Sequence, residues 1–252
     1  MKLPIEVTPK VLYVINHSAG KDSQAMYLAL RNIIPRENLV IIHADLPGVD
    51  WPGNIPHIEE TISHEFHVVR AKKTFWDMIF HRKMFPSPQN RNCTSDLKRG
   101  PISSKIIGIC NERGFDVVVN CMGIRAEESP GRAKKDPFIR VDSQSNSKRT
   151  WYQWFPIFDW KVKQVFDFIK EHKQKPHWAY KAGMTRLSCC FCIMASKADL
   201  LTAKKLMPEL FAEYCRVERE LDQTMLMPSK KHGRIFLDEL KEDENNQLIL
   251  EL

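Results

Sequence analysis

Apolar runs of strand length alternate along this chain with segments whose apolar residues recur at helical spacing. Val11–Ile15 reads as a strand, followed by a helix from about Asp22 to Ile33 and a second strand at Leu39–Ile42. A helix with Ile55, Ile58, Ile62 and Phe66 on one face leads to a short strand at Val68-Val69. Further on, Ile102, Ile106, Ile109 and Cys110 form a buried helical stripe, and Asp116–Cys121 is apolar enough for a strand covered on both faces. This βαβα order predicts an α/β fold with a doubly wound, mostly parallel sheet. Nucleotides bind such sheets beyond the carboxyl ends of the strands, where Ser18–Ser23, His43-Ala44-Asp45 and Gly123-Ile124-Arg125 emerge.

From Ser129 to Thr150 the chain is polar and basic, with Arg132, Lys134, Lys135, Arg140, Lys148 and Arg149, which predicts a mobile loop. It runs into the aromatic stretch Trp151–Trp160, most of it expected in the core, after which Asp159 is placed as the N-cap of a helix carrying Val162, Val165, Phe166 and Ile169. The last third reads as helical, with Leu210, Tyr214, Val217 and Leu221 at core spacing. The expected organisation is an α/β catalytic domain over residues 1–160 and a C-terminal helical extension over 161–252, the latter holding a cysteine cluster and an acidic tail.

A hydrophobic content of 43% and an aromatic content of 10% fit a soluble globular protein. No apolar stretch reaches the ~20 residues of a membrane span, and Met1–Glu6 leads into no signal-peptide core, so a cytoplasmic location without a membrane partner is expected. The seven cysteines then read as thiols or metal ligands rather than as a disulfide framework. The formal net charge is +7, yet the tail from Asp238 onward holds six acids against Lys241 alone, which leaves +12 on the preceding residues. Positive charge on that scale points to a polyanion, with nucleic acid the usual one and a merely solvated basic surface the alternative.

The sharpest motif is Ser18-Ala19-Gly20-Lys21-Asp22-Ser23 between the first strand and the first helix. Glycine lets backbone approach a ligand, serine hydroxyls and the opening N–H groups of a helix hold an anion, and Lys21 adds a point charge. This is the chemistry of a pyrophosphate cradle, with Lys21 and Ser23 expected to face solvent. The Walker spacing G-x-x-x-x-G-K-[ST] is absent. A chance serine–glycine turn would have to account for six suitable residues at one junction. Two further motifs follow, Asn92-Cys93-Thr94-Ser95-Asp96-Leu97-Lys98-Arg99-Gly100-Pro101-Ile102 and Gly123-Ile124-Arg125-Ala126-Glu127-Glu128-Ser129-Pro130-Gly131-Arg132. A fourth, Arg186–Cys192, contains the pair Cys189-x-x-Cys192, two thiolates spaced to hold one metal, and Cys93 can supply a third. Cys110 and Cys121 read as buried small hydrophobes and Cys215 as a core thiol, so no fourth ligand is evident.

With S-x-G-K-D-S, C-T-x-x-L-K-R-x-P-I and G-I-R-x-x-E-S-x-x-R in this order, the chain resembles the phosphoadenylyl-sulfate reductase-like branch of the ATP pyrophosphatases, over roughly Val11 to Leu221. Within that branch it looks most like the ATP pyrophosphatases of DNA phosphorothioation systems of the Dnd and Ssp types. The resemblance implies an adenine nucleotide α-hydrolase-like fold that cleaves ATP between its α and β phosphates. Ser18, Gly20, Lys21, Asp22 and Ser23 would hold the β and γ phosphates, and Asp22 would orient Mg²⁺. Ala44 and Asp45 would face the adenosine. Arg125, Arg132 and the Gly123 turn would meet the α-phosphate or the acceptor, with Glu128 positioning one arginine. Lys21, Asp22 and Arg125 are the expected catalytic residues. Related proteins often carry an iron–sulfur cluster at the cysteines, so Cys93, Cys189 and Cys192 would hold a [4Fe–4S] cluster, with zinc as the rival metal. Three protein ligands would leave one iron open, suited to carrying sulfur.

Sulfonucleotide reductases use a catalytic cysteine in an E-C-G-x-x-H-like tail, whereas no cysteine follows Cys215 here. Reduction of activated sulfate is therefore disfavoured. The expected activity is adenylylation of a substrate oxygen, a DNA backbone phosphate, which prepares it for substitution by sulfur. The expected partners are DNA, met directly or through another protein, a cysteine desulfurase or other sulfur donor, and sibling modification proteins. A tRNA thiolation enzyme and a non-catalytic ATP-sensing subunit are the remaining alternatives.

Overall fold

The computed structural model describes residues 1–228, 233–242 and 248–250. In chain order the first elements are β1 (Val11–Asn16), α1 (Lys21–Leu30), β2 (Leu39–Ala44), α2 (Asn54–Thr61), β3 (Phe66–Val69) and α3 (Phe75–Arg82). They are followed by α4 (Asn92–Thr94), a π turn over Ser95–Arg99, α5 (Gly100–Arg113), β4 (Val117–Cys121), α6 (Pro130–Ala133), β5 (Phe138–Arg140) and β6 (Thr150–Trp154). The remainder is α7 (Val162–Glu171), α8 (Trp178–Lys181), α9 (Lys197–Leu206), α10 (Pro208–Leu221), β7 (Leu240–Glu242) and β8 (Leu248–Leu250). The chain divides into two compact units, neither continuous in sequence. The first comprises residues 1–44, 53–69 and 102–177; the second comprises 45–52, 70–101 and 178–252.

The first unit is built on a six-stranded sheet of order β3-β2-β1-β4-β6-β5, parallel except for β5. Alternation along β1 serves both faces. Tyr13 and Ile15 pack with Ala25, Met26 and Leu30 of α1 and Val165 and Ile169 of α7. Leu12 and Val14 pack on the opposite side with Ile106, Ile109 and Cys110 of α5. A strand apolar at every position has to be covered twice, which dictates the doubly wound arrangement. The strand order reverses between β1 and β4, and there the Asn16 side chain donates to Asn120 Oδ1 at 2.5 Å and to the Cys121 carbonyl at 3.0 Å.

Several local expectations change. Residues 129–150 are not a structureless loop: Ser129 caps α6 by accepting from Arg132 N–H at 3.2 Å, and β5 pairs antiparallel with β6. Phe138 stacks on Tyr152 across that pair with ring centroids 5.1 Å apart, an apolar contact that alternation over three residues barely signals. Lys161, not Asp159, occupies the cap position of α7. The capping acceptor comes from elsewhere in the chain, because Glu127 Oε2 takes the Val162 N–H at 2.7 Å. Ile62 and Phe66 lie beyond α2, and Phe66 opens β3.

The second unit contains α3, α4, α8, α9, α10 and the β7–β8 hairpin, and its aromatic centre is Tyr214 of α10. Asp243, Glu244 and Glu251 of the expected acidic tail lie outside the described residues, while Asp238 accepts from Arg219 at 2.7 and 3.0 Å. The Glu218 carboxylate is fully buried and accepts the N–H groups of Met225 at 2.5 Å and Leu237 at 2.6 Å. Burial raises its pKa from 4.5 to about 7 against the effect of those two donors. Because the folded chain holds this proton more tightly than the unfolded one, the group's stabilisation is complete below about pH 4.5 and is lost as pH rises through about 7. Thermal melts across that range should show wild type losing roughly 3 kcal/mol relative to Glu218→Gln as pH rises. Parallel pH profiles for the two proteins would contradict this assignment.

Candidate active site

β1 ends at Asn16, and the chain turns into α1 through His17-Ser18-Ala19-Gly20. The left-handed residue of this turn is Ala19, at φ 62°, while Gly20 is extended at φ −79°. A left-handed alanine costs about 1 kcal/mol, and its neighbours hold it there. Ala19 N–H donates to His17 Nδ1 at 3.2 Å, and Ser18 N–H donates to Ser23 Oγ at 3.1 Å. Ser23 Oγ in turn donates to the Gly20 carbonyl at 2.8 Å. Ser23 and Lys21 are 3% and 4% exposed, which corrects the expectation that both face solvent. Ser23 staples the loop, and Ser18 is the exposed hydroxyl. His17 is buried and accepts at Nδ1, so it is the neutral Nε2–H tautomer, and burial, with His43 and His57 nearby, pushes its pKa down to about 3.

Gly123 follows β4 and passes directly over the start of α1. A Cβ built on Gly123 would lie 2.9 Å from the Asp22 carbonyl carbon and 3.0 Å from the Ser23 nitrogen. This close approach leaves no room for a side chain at position 123. Two residues on, Arg125 is 4% exposed and reaches back to α1, its Nε donating to Asp22 Oδ1 at 2.6 Å. Its Nη1 donates to Glu127 Oε2 at 2.7 Å and to the Trp160 carbonyl at 3.2 Å. Asp22 Oδ2 is 3.2 Å from Lys21 Nζ, so one carboxylate is shared by two cations. Burial opposes the charge on Arg125, but Asp22 and Glu127 outweigh it and raise its pKa. Glu128 accepts the Arg125 N–H at 2.9 Å and also pairs with Arg132. Lys21, Arg125 and Arg132 are thus balanced by Asp22, Glu127 and Glu128 at the positive end of α1, whose first N–H groups have no acceptor within the helix.

The structure therefore brings Ser18, Gly20, Lys21, Asp22, Ser23, Gly123, Arg125, Glu128 and Arg132 to one end of the β1–β4 seam. Ala44 closes β2 in the same sheet. Asp45 falls in the second unit, where it accepts from Arg70 Nε at 2.7 Å. Glu127 was not singled out by motif, although it both holds Arg125 and caps α7.

The candidate metal ligands belong to the second unit. Cys93 lies in α4, just ahead of the π turn, a feature frequent at functional sites. Cys189 and Cys192 lie on the loop before α9, held to the segment after β2 by Cys190 N–H donating to the Val49 carbonyl at 2.9 Å. Lys98 Nζ is 3.5 Å from Cys189 Sγ. Burial raises the Cys93 and Cys189 pKa values, and the Lys98 charge works in the opposite direction. Among the described residues the three sulfurs do not all lie within 4.8 Å of one another. Three cysteine sulfurs with a lysine ammonium beside one of them form a donor set that suits either a thiolate-bound zinc or an iron–sulfur cluster. Cys190, fully buried, has its pKa pushed up to about 12 by burial and Asp50. Cys110 and Cys121 are core thiols as expected, whereas Cys215 is only half-buried. Sequence reasoning missed Asp50 and Lys98 as neighbours of these sulfurs, though Lys98 stood inside a motif already marked.

The chain is 32% identical over 253 residues to an uncharacterized 37.8 kDa protein of Escherichia phage 186, the match covering 82% of this chain and 74% of that protein. It is 27% identical over 209 residues to an uncharacterized protein of Methanocaldococcus jannaschii, covering 81% of this chain and 47% of that protein, so it spans about half of this relative's length. Among solved structures, phosphoadenylyl-sulfate reductase from Candida auris aligns with a TM-score of 0.46 at 13% identity, covering 73% of this chain and 82% of that one. The U34-tRNA thiolase of Methanococcus maripaludis, solved with its [4Fe–4S] cluster, aligns with a TM-score of 0.42 at 17% identity, covering 84% and 73%. The family match runs over residues 12–195, which takes in the loop after β1, Cys93 of α4 with the π turn that follows it, the Arg125 segment and the Cys189–Cys192 loop; the chain belongs to the phosphoadenosine phosphosulfate reductase domain family.

Proposed function

We propose that this chain is an ATP pyrophosphatase that transfers AMP to an oxygen of a nucleic-acid backbone phosphate, as a preparation for sulfur incorporation of the kind found in Dnd- and Ssp-type DNA phosphorothioation. The observation that carries the reading is the Lys21–Asp22–Arg125 arrangement at the start of α1, locked by the close approach of Gly123. The phosphate oxygen attacks the α-phosphorus of ATP, a P–O bond forms, and the bond to the β-phosphate oxygen breaks with its electron pair leaving on pyrophosphate. No proton moves at phosphorus, so no general base is needed. Lys21 and the N-terminus of α1 meet the charge that develops on pyrophosphate, and Arg125 orients the α-phosphate. Asp22, released in part from its two cations by the incoming phosphates, is the carboxylate suited to Mg²⁺. Cys93, Cys189 and Cys192 are the residues that would hold an iron–sulfur cluster, which when bound supplies a site for sulfur.

The support for nucleic acid is charge. Of the basic residues in 129–150, Arg132 is paired with Glu128, Arg140 is 3.2 Å from Asp142, and buried Arg149 donates to Asn111 at 2.8 Å. Lys134, Lys135 and Lys148 are exposed and are the residues we assign to backbone phosphates.

Purified protein should release pyrophosphate from ATP, with free AMP formed only where water takes the place of the phosphate acceptor. Arg125→Ala and Lys21→Ala should each lower that rate at least a hundredfold, the scale of losing one stabilising donor. Orthophosphate as the sole inorganic product would overturn the assigned cleavage site. Ser23→Ala should lower stability as well as turnover, because its hydroxyl holds the turn; a variant with full stability would contradict this.

Replacing Lys134, Lys135 and Lys148 together by glutamine should weaken DNA binding and flatten its log-affinity against log-salt slope, by roughly 0.9 for each phosphate that is no longer neutralised. ATP cleavage in the absence of DNA should be unchanged. An unaltered slope would remove this segment from the interface, and absence of DNA binding by wild type at low salt would remove DNA as the directly bound substrate.

A further inference from the structure

Tyr214 lies in α10, beyond the stretch that matches the family. Its ring is fully buried, caged by Trp76 at 4.8 Å, Phe191 at 5.1 Å, Phe75 at 5.9 Å and Phe85 at 6.1 Å between centroids. Its hydroxyl is buried and has no hydrogen-bond partner among the described residues. Phenylalanine would fill the same cage, whereas an unpartnered buried hydroxyl costs about 1–3 kcal/mol. The hydroxyl is within electrostatic reach of Cys189, Cys190, Cys192 and Asp50. Phe191, one of the caging rings, sits in the chain between Cys190 and Cys192, so the ring contact ties α10 to the cysteine loop. Burial, followed by those neighbouring charges, raises the phenol pKa well above its ordinary value, so the group is a donor and not a phenolate.

We infer that Tyr214 is a positioning residue for the cysteine-bound cluster, donating its O–H to one of the cluster's sulfurs. This rests on the cluster assignment above. A neutral donor suits that task, since it adds no charge to a site already holding three thiolates and the Lys98 ammonium. Hydrogen bonds to sulfur favour the reduced, more negative state of a cluster and thereby raise its reduction potential.

The test uses full-length protein purified without oxygen, comparing wild type with Tyr214→Phe for iron and sulfide content, midpoint potential and exchangeable-proton couplings of the reduced cluster after transfer to D₂O. The variant should keep a full cluster, show a more negative potential and lose one exchangeable coupling. Phe85→Leu, which loosens the cage without touching the hydroxyl, should lower thermal stability and leave the potential unmoved. A ring-fluorinated tyrosine at position 214, a stronger donor of nearly the same shape, should move the potential in the positive direction, which keeps the test open if Tyr214→Phe does not fold. A full cluster with the same potential and couplings in all of these proteins would overturn the inference alone. Wild type that binds zinc, or no metal, would overturn the cluster assignment and this inference with it.

Discussion

The sharing of Asp22 between Lys21 and Arg125 is the interaction on which the candidate active site depends. It joins the first turn of α1 to the segment leaving β4, the two places where the strand order of the sheet reverses. Asp22 is half-buried and Arg125 almost fully buried, so removing one partner would leave a charge in a site of low dielectric, at a cost of about 3–5 kcal/mol. The pair survives burial because the remaining donors of the guanidinium find Glu127 and the Trp160 carbonyl. Gly123 makes the geometry possible, since any side chain there would push the β4 segment off the helix. The cradle is therefore a product of two strands rather than of one loop. Its cations are already oriented and already balanced by carboxylates, so an anion held there would have to exchange partners with them rather than fill an uncompensated positive field.

That balance explains what the sequence could and could not disclose. The strands were legible because β1, β2 and β4 are apolar at nearly every position, a pattern that only a doubly covered sheet produces. The order of the motifs and the position of Arg125 after β4 were legible for the same reason. Burial of Lys21 and Ser23 was not, because both belong to a polar motif and their enclosure comes from distant segments such as α7, where the Phe166 ring lies 5.9 Å from Lys21 Nζ. Gly20 of the motif is extended, whereas the positive φ falls on Ala19, whose N–H donates to the His17 ring. No local propensity points to a left-handed alanine. Residues 129–150 were read as a loop because polarity dominates them, while three residues of β5 and one stacked aromatic pair suffice to order an edge.

The second unit shows the complementary limit. Its sulfurs come from α4 and from the loop before α9, and Asp50 comes from a third segment, so no sequence window contains the set. The cysteine spacing was visible, but the groups that decide what the thiols can do were not. Lys98 supplies positive charge next to Cys189 and burial raises the thiol pKa, two effects of opposite sign at one atom. A thiolate ligand must be deprotonated, so binding a metal there would have to supply the free energy that burial withholds. In the same unit four rings pack on Tyr214, whose single polar atom has no partner among the described residues.

Taken with the charge distribution, these constraints separate two uses of basic residues in one chain. Arg125 and Lys21 are buried and both face the Asp22 carboxylate, so their charge is spent on geometry. Lys134, Lys135 and Lys148 are exposed and contribute to the net charge without an ordered partner among the described residues. Net charge alone counts both kinds equally. Enclosed cations change little with salt, because little solvent intervenes, while exposed ones act over a Debye length of ~10 Å and weaken as salt rises. Nucleotide handling by this chain should consequently be nearly insensitive to ionic strength over the range in which its attraction to a polyanion collapses, a separation that follows from burial and not from the identity of the residues.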